Sequence, residues 1–140
     1  MYDAMDVAKY VITHCREMQR PISNLKLQKL LYFIQAQFLV GEDHACFFNR
    51  IEAWDLGPVV PDVYHHFKVY GSNPLILWNE GNFGVSAHDR RVIDRIVDRC
   101  NVYTASELVD LTHQQTPWIQ AREKGYNGQI TNESIRRFFL

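Results

Sequence analysis

Apolar residues recur at three- and four-residue steps over long stretches of this chain, the spacing of one face of an α-helix. From residue 3 to 18, Ala4, Val7, Val11, Cys15 and Met18 keep that step, with Asp3 as N-cap and Arg20-Pro21 as the stop. Ser23 or Asn24 caps a second helix over about residues 24–40. Its stripe is Leu27, Leu30, Leu31, Ile34 and Phe38, with Lys26, Lys29, Gln35 and Gln37 largely on other faces and Gly41 as the stop. A helix this apolar is expected to pack centrally.

The period then changes. Residues 47–54 contain one short strand, with Ile51 and Ala53 on one side. It runs into Glu52-Ala53-Trp54-Asp55-Leu56-Gly57-Pro58-Val59-Val60-Pro61-Asp62-Val63-Tyr64. Gly57 is pushed toward extended geometry by the following proline and as glycine is free to take positive φ. Pro58 has no amide donor, so it is excluded from the middle of a regular sheet. Pro61 suits the first position of a helix, and Asp62 the positive end of its dipole. The segment predicts a stiff strand–turn–helix corner with an indole at its base, the helix running to about Tyr70 and ending at Gly71. Leu75-Ile76-Leu77-Trp78 and Phe83-Gly84-Val85, separated by Asn79-Glu80-Gly81-Asn82, have the pattern of a hairpin.

Residues 87–101 form an amphipathic helix with Ile93, Ile96, Val97 and Cys100 inward. Arg91, Arg95 and Arg99 form an outer row, and the interleaved Asp94 and Asp98 are expected to compensate them as surface ion pairs. Thr104-Ala105-Ser106-Glu107 matches a capping box. Thr116-Pro117 opens a short helix holding Trp118, with Thr116 as its cap. Thr131 caps a last helix docked by Ile135, Phe138 and Phe139. The expected fold is mainly α (α+β), a single domain over residues 1–140 of about six helices with one small β-hairpin or short sheet.

Composition narrows the function. With 46% hydrophobic and 13% aromatic residues, the chain has material for a core. Its 15 basic and 16 acidic residues leave a net charge of -1, which gives no overall field for nucleic acid or an anionic membrane. No stretch reaches the length of a membrane span, the start has no secretory leader pattern, and Cys15, Cys46 and Cys100 have no short spacing. The expectation is a cytoplasmic protein with reduced thiols. The six histidines lack metal-ligand spacing, and no phosphate loop, nucleophile elbow or HExxH motif is present. Asp62 and His66 stand four apart, within reach of a local hydrogen bond or an acid–base dyad. His113 beside a helix start would need a hydrogen-bond partner if buried. Arg90, Arg91, Arg95 and Arg99 are the residues that a DNA-contacting regulator would use.

Three blocks together resemble a known family. They are Leu25-Lys26-Leu27-Gln28-Lys29-Leu30-Leu31-Tyr32, the Ile51–Tyr64 corner with Phe67-Lys68, and Leu108-Val109-Asp110-Leu111-Thr112-His113-Gln114-Gln115-Thr116-Pro117-Trp118. In order and content they resemble the Panacea domain of promiscuous antitoxins, a group that includes SocA-like and GepA-like phage-associated proteins. Ile34-Gln35-Ala36-Gln37-Phe38 departs from the family's usual Ala-Gln-Gly-Trp-like stretch, with Phe38 in the aromatic place. The resemblance implies a mostly helical module that neutralises a cognate toxin by direct protein contact. It implies no catalytic residue, cofactor or small-molecule substrate, and it leaves self-association open. Trp54, Asp55, Gly57, Pro58, Asp62, His66, His113 and Trp118 are the candidate partner contacts. For Gly57, Pro58 and Trp118 in particular, maintenance of the fold is the competing reading.

Overall fold

Asp3 accepts the Met5 amide and starts helix α1 (Ala4–Glu17) in the computed structural model, which describes residues 1–140. Ser23 does the same through the Lys26 amide for α2 (Asn24–Gln37). α2 runs on through a wider π-type turn, Phe38–Glu42, and Asp43 then reverses the chain in a left-handed conformation. Gly41 therefore lies inside the terminal turn and is not the stop residue. The hairpin β1 (Ile51–Trp54) and β2 (Gly57–Val59) leads into α3 (Pro61–Phe67), which tightens into a 3-10 turn ending at Tyr70. There follow α4 (Ala87–Cys100), α5 (Ala105–His113), α6 (Thr116–Lys124), β3 (Gln129–Ile130) and α7 (Asn132–Phe139). The architecture is mainly helical with one small sheet, as the sequence predicts, with seven α-helices in place of about six.

The sheet is antiparallel, in the order β2-β1-β3. Pro58 sits on its edge strand, where a missing amide removes no ladder bond. The short strand expected within 47–54 is Ile51–Trp54, while residues 46–50 lie off the ladder and meet α2 and the amino terminus. The hairpin expected at 75–85 does not form. Leu75 is instead pinned through its amide to the Ile22 carbonyl at 2.9 Å, Ile76 and Trp78 face solvent, and Phe83 and Gly84 both take positive φ. The third strand comes from Gln129–Ile130, whose two residues carry too little pattern to be read in advance.

One core of 31 buried residues joins these elements, and α2 runs through it, buried nearly all round. Lys29 and Gln35, expected on its outer faces, are among its most buried residues, 0% and 1% exposed. They are held there because irregular backbone around α2 needs partners. Gln35 Oε1 accepts the Cys46 and Phe47 amides at 2.8 and 3.2 Å, and its Nε2 donates to the Phe47 carbonyl at 3.0 Å. Gln28 Oε1 accepts the Val60 amide, while its Nε2 donates to Asn24 Oδ1, and Asn24 Nδ2 donates to the Tyr64 carbonyl. Lys29 Nζ donates to the Pro58 carbonyl at 2.8 Å, and Tyr32 Oη donates to Gln115 Oε1 at 2.7 Å. That last bond explains a second departure. Gln115, not Thr116, occupies the N-cap of α6, and its side chain is engaged with Tyr32 instead of capping.

α4 also differs from expectation. Asp94 and Asp98 turn toward α1, where Asp94 accepts from Tyr10 Oη at 2.6 Å and both carboxylates face His14, at 3.4 and 3.0 Å. They make no ion pair with Arg91, Arg95 or Arg99.

Replacing Gln35 with leucine keeps its volume but leaves two buried amides and a carbonyl without partners. We expect Gln35→Leu to lose roughly 2–4 kcal/mol, measured as a lower urea midpoint at unchanged m-value.

Candidate functional site

The corner predicted from Gly57-Pro58 is a tight hairpin with Asp55 and Leu56 at its tip, since Trp54 pairs with Gly57 across it. Its underside is closed. Gly57 has φ +101°, and a Cβ there would stand 2.8 Å from both Lys29 Cε and Thr112 Oγ1. Only glycine meets both demands, the positive φ and the close approach. Pro58 is buried, and its carbonyl is held by Lys29. Burial lowers the Lys29 ammonium from its ordinary 10.5 to about 7.

The outer side is clamped by α5 and α6. Trp118 Nε1 donates to the Trp54 carbonyl at 2.8 Å, and His113 Nε2 donates to the Asp55 carbonyl at 2.8 Å, which fixes that ring as the Nε2–H tautomer. The two rings lie 4.2 Å apart. Arg122 stacks on Trp118 and donates to Asp55 Oδ1 at 2.8 Å and to the Ala53 carbonyl at 3.3 Å. On the other side the Trp54 indole meets Tyr64 edge-on, 4.9 Å between centroids, and donates to Glu52 Oε1. Trp54, Asp55, Gly57, Pro58, His113 and Trp118 are thus brought together as one braced unit.

Asp62 and His66 do not join it, nor do they bond to each other. Asp62 accepts from Asn49 Nδ2 at 2.9 Å, and His66 packs edge-on against Phe67 beside a separate hollow of about 250 Å³. A helix of seven residues turns these two side chains toward different neighbours. Elsewhere Glu42, His88 and Asp89 gather potential metal donors, but His88 and Glu42 already pair at 2.6 Å. Burial pushes the Cys15 and Cys100 thiols up to about 11 and Cys46 further, so all three stay protonated at neutral pH.

Beside the hairpin tip opens a groove of about 560 Å³, walled by Trp54, Leu56, Val59 and Tyr64 and, across it, by Lys68 and Tyr126. Leu56 is 55% exposed and Tyr126 82%. Sequence reasoning missed Leu56, Tyr126 and Arg122. Leu56 could have been noticed as an apolar residue at a tight turn, and Arg122 as the residue one helical turn beyond Trp118. Tyr126 carries no local signal.

A family profile described as "Antitoxin SocA-like, Panacea domain" matches residues 27–119, from the start of the buried face of α2 to the clamp on α6. The chain belongs to the SocA-like antitoxin family. Antitoxin SocA of Caulobacter vibrioides (strain NA1000 / CB15N) is 42% identical over 74 residues, 53% of this chain and 39% of that protein. The chain therefore aligns with well under half of that relative's length. No solved structure matches. The residues that the Panacea profile spans include Gln28, Lys29, Gln35, the Gly-Pro corner, His113 and Trp118, while Arg122, Tyr126 and β3 lie beyond it.

Gly57→Ala should destabilise this Panacea fold by roughly 2–4 kcal/mol, from left-handed strain and overpacking against Lys29, measured by urea unfolding. Lys29 gives a pH test. Between pH about 7 and 10.5 the unfolded lysine is protonated and the folded one is not, so unfolding takes up a proton. Its contribution to stability therefore rises with pH through that window, by on the order of a few kcal/mol in total. Lys29→Met should flatten the wild-type slope of unfolding free energy between pH 7 and 9.

Proposed function

We propose that the hairpin corner is the surface through which this protein neutralises a cognate toxin by direct contact. Membership of an antitoxin family supplies the class of activity. One structural observation carries the location. The Trp54–Gly57 turn is fastened by Lys29 beneath and by His113, Trp118 and Arg122 outside, yet it leaves Leu56 exposed beside an aromatic groove. Fastened backbone with an exposed apolar tip is the arrangement that loses least conformational entropy on binding. An aliphatic or aromatic side chain of the toxin suits the apolar part of the groove at Trp54, Leu56, Val59 and Tyr64, and Asp55, Lys68 and Asn127 offer polar contacts beside it.

In this reading the protein grips and does not turn over a substrate. The tryptophans are divided between two tasks, since Trp118 spends its indole N–H on the Trp54 backbone and Trp54 offers part of its face to the groove. The phage association that the resemblance implies would fit a neighbouring toxin gene as the partner's source. Asp62 and His66 are assigned to local structure.

The test is co-expression with the product of the adjacent reading frame. Wild type should restore growth and co-purify with it. Leu56→Asp should remain folded, within about 0.5 kcal/mol of wild type, because the side chain stands more than half exposed at the hairpin tip and belongs to no buried cluster. It should lose both rescue and co-purification. Full rescue by Leu56→Asp together with Tyr126→Ala would remove the corner as the site, and a toxic neighbour untouched by wild type would remove the antitoxin reading.

A further inference from the structure

The row Arg91, Arg95 and Arg99 has no carboxylate partner, and that changes what this face of α4 can bind. The three side chains are exposed on successive turns of α4. Asp94 and Asp98, the residues expected to neutralise them, are drawn to Tyr10 and His14 on α1. Arg136 and Arg137 differ, since they pair with Asp43 and Glu133.

Beside the row lies an apolar hollow of about 260 Å³ between α4, the end of α2 and the end of α7. Its floor is Phe33, Ala36, Val40, Ile96, Cys100 and Phe139, and Arg99 stands on its rim. It adjoins a smaller hollow of about 90 Å³ walled by Val92, Ile96, Arg95, Arg99 and Gln37. Gln37, Ile96 and Arg99 line both, so the two form one groove with an apolar floor and a guanidinium edge.

We propose that this groove is a second docking surface, for an acidic amphipathic helix of a partner protein. The floor calls for aliphatic side chains repeated at three and four residues, and the edge for carboxylates one turn apart. Arginine is suited to such an edge, because its planar fork pairs with carboxylates and is weakly hydrated. Nucleic acid fits less well. Phosphates would meet the arginines, but the apolar floor would face a charged backbone, and the near-neutral chain adds no attractive field. The surface is separate from the hairpin corner and does not depend on the role assigned there.

The probe is a fluorescein-labelled helical peptide of about 20 residues with leucine at heptad a and d positions and glutamate flanking them. A lysine-flanked isomer and a 20-base-pair DNA duplex serve as comparisons. Anisotropy titrations against the full chain should give at least about tenfold tighter binding of the acidic peptide than of its isomer. Arg95→Glu with Arg99→Glu should lower that affinity at least about tenfold at unchanged Tm, since both side chains are exposed and unpaired. Equal binding of the two peptides, or an unaffected double variant, overturns the proposal. Duplex binding that is tighter than peptide binding and lost in the same variant overturns it in favour of nucleic acid. The double variant leaves Leu56 intact, so loss of peptide binding and loss of toxin neutralisation are read separately.

Discussion

Backbone that leaves a helix or a ladder has to find hydrogen bonds somewhere, and here it finds them on one helix. The Cys46, Phe47 and Val60 amides lie outside regular elements, the Pro58 carbonyl is on the edge strand and the Tyr64 carbonyl is in the last turn of α3, and each is met by a polar side chain of α2. Asn24, Gln28, Lys29 and Gln35 are buried for this reason, although a helix with so apolar a stripe would ordinarily place such residues in water. The arrangement ties the sheet, the corner and α3 to a single rod. It also makes the network demanding, because removing one member leaves buried partners unsatisfied.

The corner inherits its stiffness from that rod. Lys29 reaches from below to the Pro58 carbonyl, Gly57 has room for no side chain, and α5 and α6 close the outer face through His113, Trp118 and Arg122. Tyr32, also on α2, binds Gln115 at the start of α6, so both sides of the clamp are referred to the same helix. Leu56 is left out of this bracing, and the groove beside it is bounded by aromatic rings. An exposed rim over a buried network can change its side chains without disturbing that network, so a fold built this way is able to suit different partners.

The two exposed surfaces have different chemistry. The hairpin corner presents apolar and aromatic side chains on fastened backbone, whereas the α4 groove has an apolar floor and a cationic rim. The second exists because of a choice made inside the molecule. Asp94 and Asp98 bind Tyr10 and His14, so α1 and α4 are joined by carboxylates that the arginines would otherwise have used.

Local signals were sufficient for much of this. The caps at Asp3, Ser23, Thr104 and Thr131, the capping box, and the Gly-Pro and Pro61 positions act within a few residues of themselves, so periodicity and turn chemistry place most of the helices and the strand–turn–helix corner. Trp54, Asp55, Gly57, Pro58, His113 and Trp118 were legible as candidates together with Asp62 and His66, and only the packing of α5 and α6 on the hairpin separates the six from the two. Other features depend on contacts across the chain. The burial of Lys29 and Gln35, the third strand at Gln129–Ile130, the separation of Asp62 from His66, and the unpaired arginine row were all decided by partners distant in sequence. A side chain's distance along a helix fixes its angle, but only the packed neighbours fix whether that angle meets water, a carbonyl or another charge.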